Sequence, residues 1–214
     1  LPIRPEQQAV FFTLFLGMYL TTVLGNLLIM LLIQLDSHLH TPMYFFLSHL
    51  ALTDISFSSV TVPKMLMNMQ TQHLAVFYKG CISQTYFFIF FADLDSFLIT
   101  SMAYDRYVAI CNPLQYSVIM GKKACIQLVS GSWNIGLSTA IIQVSSVFSL
   151  PFCDANLISH FFCDIRPIMK LACADTTIKE FITLLISLCV LVLPMVLIFI
   201  SYVLIVTTIL KIAS

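Results

Sequence analysis

Five apolar runs, each longer than about 20 residues and three of them uncharged, dominate this chain and leave it one kind of solvent. They cover residues 9–35, 42–69, 81–110, 124–150 and 181–210. In a chain of 214 residues nothing would remain to bury five such helices away from water, so lipid must take that part. The composition agrees: 59% of residues are hydrophobic and 9% are charged, against about 25% charged in soluble domains, and mean hydropathy is +0.97. The fold class expected is all-α, a polytopic transmembrane helix bundle. The net charge of zero offers no basic footprint for nucleic acid.

Spacing rules out the common catalytic constellations. His38 and His40 stand two apart in a loop and share no helical face. The serines have no paired His–Asp arrangement, and there is no glycine-rich phosphate loop. No enzyme is expected.

Orientation is undecided by charge counting. One side carries Arg106, Lys122, Lys123 and Lys211; the other carries Arg4, Lys64, Lys79, Arg166, Lys170 and Lys179. Cysteines decide it. Cys81, Cys153, Cys163 and Cys173 share one side, at the top of the third helix and in the 151–180 loop. Four thiols on one face read as two disulfides, which form in an oxidising compartment, so that face and the N-terminus are expected outside the cell. Four cysteines allow three pairings, and spacing does not choose among them. Cys111, Cys125 and Cys189 read as small apolar fillers.

The stretch Met102-Ala-Tyr-Asp-Arg-Tyr-Val-Ala-Ile-Cys111 sets an acid–arginine pair at the end of the third helix, a costly place for charge unless it does a job. It resembles the cytoplasmic end of that helix in rhodopsin-like G-protein-coupled receptors, in the wording of the olfactory receptor family. Leu39-His-Thr-Pro-Met-Tyr-Phe-Phe-Leu-Ser-His-Leu-Ala-Leu-Thr-Asp54 resembles the same family's join between the first cytoplasmic loop and helix two. Gly25-Asn26, the cysteine-bearing loop and Ser201-Tyr202 extend the likeness over the whole chain. His38, His49 and Asn112 depart from the family's usual arginine, asparagine and basic residue; the first and last lower the charge of the cytoplasmic side. The family has seven helices, and this sequence, opening on Leu1 and stopping after the fifth helix at Lys211-Ile-Ala-Ser214, reads as a fragment.

The resemblance implies an odorant receptor of the plasma membrane. A small apolar odorant would shift a two-state bundle, whose cytoplasmic face then activates a heterotrimeric G protein of the stimulatory olfactory type. Asp105, Arg106 and Tyr107 would be the switch, with Arg106 restrained by Asp105 at rest and freed toward Tyr202. It also implies disulfides Cys81–Cys163 and Cys153–Cys173. The alternative function is a transporter or cation or proton channel that uses Asp54, Asp93 and Asp95 as a relay, although the related halves of that class are not visible here.

Two candidate sites follow from helical geometry. Asp54 lies about 18 Å along helix two from Pro42, and Asp95 about 16 Å above Arg106, so the carboxylates share a depth. They would repel unless a cation or a proton lay between them; rhodopsin-like receptors hold a sodium ion near the helix-two aspartate. Otherwise each accepts hydrogen bonds from polar neighbours such as Asn26, with one acid protonated. Near the outer end, Thr85, Phe88, Ile89, Ala92 and Ser96 make one stripe of helix three, and Thr183, Ile186, Ser187 and Val190 one stripe of helix five. Such an apolar wall with a few hydroxyls suits a small volatile ligand. Asp93, about 200° around from Asp95, joins the ligand candidates or is a satisfied acid against helix four or five.

Overall fold

The computed structural model describes residues 5–71, 76–149, 157–158 and 177–213. Six α-helices appear among them: α1 (Pro5–Leu35), α2 (Pro42–Thr71), α3 (Tyr78–Cys111), α4 (Tyr116–Ile119), α5 (Lys122–Phe148) and α6 (Thr177–Ala213). All but the four-residue α4 are long and apolar enough to cross a bilayer, over Gln8–Leu35, Pro42–Met67, Gly80–Cys111, Lys122–Val147 and Thr177–Ile212. A helix is the one open-ended element that pairs its own backbone groups in lipid, which is why each apolar run takes this form. Several helices outrun their apolar runs, since polar residues at the ends continue the same hydrogen-bond ladder.

Hydroxyls inside the spans are handled locally. Thr13, Thr21, Thr53 and Thr100 each donate to the carbonyl four residues earlier, at 2.8–2.9 Å, so these four hydroxyl protons are not left facing hydrocarbon. Pro42 opens α2, where a missing N–H costs nothing. Between α1 and α2, the Asp36 side chain accepts from the His38 amide at 2.9 Å, and this bond holds its carboxyl below the usual range.

Helix α3 is the hub, touching α2, α5 and α6, while α1 leans on α2. The core gathers around it from Phe46, Phe90, Phe91, Leu94, Leu98 and Val108. Close approach of α5 depends on Gly136, where an added Cβ would lie 3.1 Å from the Phe90 carbonyl oxygen; small residues at helix contacts serve this purpose in membranes. The outward faces of α1 and α6 keep large apolar side chains exposed, Leu24 and Phe199 among them, as helices in contact with lipid do.

One feature was not anticipated from sequence. Val76–Phe77, just before α3, pair antiparallel with Leu157–Ile158 in a two-stranded ribbon. The ribbon ties part of the long 151–180 loop to the Cys81 end of the bundle. There the Lys64 ammonium donates to the Gly80 carbonyl at 2.9 Å and joins α2 to α3.

Candidate functional site

At the far end of α3, Asp105 is completely buried. Its Oδ1 accepts from the Tyr116 hydroxyl at 2.8 Å. Its Oδ2 lies 3.6 Å from Nη2 of Arg106, an ion pair too long for a hydrogen bond. The same Nη2 contacts the Met43 sulfur at the start of α2, while the buried Nε has no partner. Arg106 is thus held by one acid and one thioether, with donor capacity in reserve. Tyr116 stands outside the spans, and burial, then its bond to Asp105, pushes its phenol up to about 12. Sequence reasoning missed Tyr116 and Met43; the one available signal was that a buried carboxylate needs more than a single donor.

Tyr107 is half-buried against the core. Tyr202 on α6 is 54% exposed, and no hydrogen bond joins it to Arg106 among the described residues. Below it α3 and α6 are linked, because the Cys111 sulfur lies 3.2 Å from the Thr208 hydroxyl. Cys111, Cys125 and Cys189 are free thiols. Cys81 is fully buried and disulfide-bonded. Its partner lies outside the described residues, as do Cys153, Cys163 and Cys173, so the pairings Cys81–Cys163 and Cys153–Cys173 fall there too.

Midway along the bundle, Asp54 on α2 and Asp95 on α3 are both half-buried. Asp95 Oδ1 is buried without a hydrogen-bond partner. Asn26 does not serve either acid: its amide donates to the Thr22 carbonyl at 3.0 Å. Two hard oxygen donors, one of them orphaned, fit a small monovalent cation or a shared proton. Among the described residues no cluster of three His, Cys, Asp or Glu suits a metal. Asp93, counted above with the ligand candidates, instead accepts from Thr139 of α5 at 2.5 Å. The satisfied-acid reading describes it.

At the Cys81 end, Thr85 is buried on α3 and Thr183 on α6. Phe88 packs on Phe57 of α2, with ring centroids 5.3 Å apart. Ile89, Ala92 and Ser96 continue the stripe half-buried, and Ser96 donates to the Ala92 carbonyl at 3.0 Å. On α6, Thr183, Ile186 and Val190 turn inward and continue through the buried Pro194 and Ile205. Ser187, four residues from Thr183, is exposed in this five-span chain. Sequence reasoning also missed Gln84, whose buried Oε1 lacks a hydrogen-bond partner, as does the Thr183 hydroxyl. Gln84 and Thr183 are each the seventh residue of their helix, about 9 Å below its start.

A bundle of bilayer-length helices, with a buried acid and its arginine latched at the end of the third, defines a polytopic membrane protein of the G-protein-coupled receptor class. A family model described as olfactory receptor matches residues 15–214. Similar proteins include Olfactory receptor 1J1 of Homo sapiens, 69% identical over 214 residues, which are all of this chain and 66% of that protein. Olfactory receptor 10J4 of Homo sapiens is 69% identical over 209 residues, covering 98% of this chain and 67% of that protein. Olfactory receptor 1 of Rattus norvegicus is 56% identical over 214 residues, with 100% and 68% covered. This chain belongs to the olfactory receptor family, and it spans about two thirds of the length of these relatives.

Proposed function

We propose that the chain forms the odorant-binding and switching part of a receptor in the plasma membrane, its N-terminus outside and its Arg106 end facing the cytoplasm. The observation that carries this reading is the Asp105–Arg106–Tyr116 constellation. A buried carboxylate holds an arginine whose remaining donors are unspent, so a modest movement of α3 or α6 releases a cation at the membrane surface. The released Arg106 moves toward Tyr202 and opens the end of the bundle to a heterotrimeric G protein of the stimulatory olfactory type. A ligand drives the change only by binding one arrangement better than the other.

The odorant lies between the Cys81-side halves of α3 and α6, against Thr85, Phe88, Ile89, Ala92, Ser96, Thr183, Ile186 and Val190. The wall is apolar, which selects by shape; the two orphaned polar atoms, on Gln84 and Thr183, support one directional hydrogen bond to an alcohol, aldehyde or ketone. Disulfides Cys81–Cys163 and Cys153–Cys173 would hold the loop over this mouth. Asp54 and Asp95 share a sodium ion or a proton that favours the resting arrangement. The test is a cAMP assay of a receptor completed to the length of its relatives, against a panel of small volatile compounds. Responses to some neutral members with no response to charged ones would support the reading; responses confined to charged members would refute it.

A further inference from the structure

A cavity of about 610 Å³ lies at the Arg106 end and contains none of the odorant-wall residues. Its walls come from the end of α1, the first turns of α2 and α5, and α4. That places it at the level where two spans begin, Pro42 and Lys122, and so at the boundary between headgroups and hydrocarbon. Phe45 and Met120 line it, and so does Ile126, 50% exposed inside a spanning segment, so that side opens to lipid rather than to water. The rim has the opposite character. Lys122 and His40 line it and no aspartate or glutamate does; Asp36 acts on His40 from outside the lining, Asp105 behind Tyr116 already faces Arg106, and Lys122 is in no ion pair among the described residues. Helix α5 starts at Gly121 with no side-chain cap, which leaves its first amides as donors beside the Lys122 ammonium.

We propose that this cavity binds one anionic phospholipid of the surrounding leaflet, its headgroup phosphate on Lys122 and His40 and one acyl chain along Phe45, Met120 and Ile126. The volume is that of a small-molecule site, enough for a headgroup and part of one chain. The charge pattern selects the lipid: a zwitterionic headgroup would set its own cation beside Lys122, whereas a net anion leaves the pair attractive. Anionic lipids are enriched in the cytoplasmic leaflet, the side on which Arg106 is placed above. Binding in detergent does not depend on that orientation or on odorant recognition, so the two readings fail separately.

The test is native mass spectrometry of the purified chain in mild detergent, with equal amounts of phosphatidylserine and phosphatidylcholine. Each basic contact near an anionic surface is worth about a fivefold preference, so the chain should retain phosphatidylserine at least about fivefold over its competitor. Lys122→Gln combined with His40→Gln should bring the ratio to parity, while Lys123→Gln, one residue outside the cavity, should leave it largely intact. Ser48→Phe, which fills the cavity from its lining, should lower retention of phosphatidylserine with helicity by circular dichroism unchanged. Parity in the unaltered chain would overturn the site. So would equal losses in the Lys122→Gln, His40→Gln double variant and the Lys123→Gln variant, which would mark diffuse surface attraction. Displacement by soluble glycerophosphoserine would overturn the lipid as occupant, because the headgroup alone would then suffice.

Discussion

The Tyr116 hydroxyl donates to the buried Asp105 carboxylate at 2.8 Å, across eleven positions of sequence and from a four-residue helix to a spanning one. It satisfies Oδ1, while Oδ2, 3.6 Å from Arg106, has the ion pair but no hydrogen bond. Tyr116→Phe strips the acid of that hydrogen bond, and an unsatisfied buried acceptor costs about 1–3 kcal/mol. Thermal unfolding of the purified variant should shift downward accordingly; an unchanged midpoint would mean the bond adds nothing.

The same phenol supplies a pH signature. Its pKa is raised from 10.0 to about 12, so the folded state holds the phenolic proton more tightly than the unfolded state. The stabilisation is therefore complete below pH 10 and is lost as pH rises through about 12. Subtracting the phenolate titration of Tyr116→Phe from that of the unaltered chain should isolate one group ionising near 12. A difference curve centred near the ordinary value of about 10 would contradict the geometry.

Asp95→Asn removes one of two carboxylates that share a depth on neighbouring helices. Sodium should raise the melting temperature of the unaltered chain, in comparison with a bulky organic cation at equal ionic strength. The variant should lose most of that difference. Retention of the full sodium effect would rule out a cation shared by Asp54 and Asp95.

Helix packing can be tested at two glycines of α5. Gly136→Ala sets a Cβ 3.1 Å from the Phe90 carbonyl oxygen and 3.6 Å from the Leu94 amide nitrogen, and overpacking of this kind costs about 1–3 kcal/mol. Gly131→Ala meets nothing within 4 Å and should be neutral, or stabilising by up to about 1 kcal/mol through helix propensity. Equal melting temperatures for the two variants would remove the argument that α5 needs Gly136 to reach α3.

The spans were legible because lipid leaves an apolar run of this length one backbone solution, and a helix ending in Asp105-Arg106 advertises its boundary. What escaped the sequence was non-local. The helix α4 is four residues long, follows Pro113, and has no apolar periodicity to announce it. Its Tyr116 meets Asp105 only after the chain has turned back. Helical angle told that Asp93 and Asp95 face different ways, but not that Thr139 of a neighbouring helix would claim Asp93. Steps of three and four from Thr183 reach both Ile186 and Ser187, and of the two Ile186 is the more buried.

In the proposed function, coupling turns on Arg106 as a cation held at rest and released on activation. The direct measurement is odorant-evoked cAMP in a receptor completed to its relatives' length, comparing Arg106→Ala and Asp105→Asn with the unaltered protein at matched surface expression. Arg106→Ala should abolish the response. Asp105→Asn, which keeps the shape but loses the restraining charge, should raise the odorant-independent level. An Arg106→Ala receptor that signals at full strength would contradict the account.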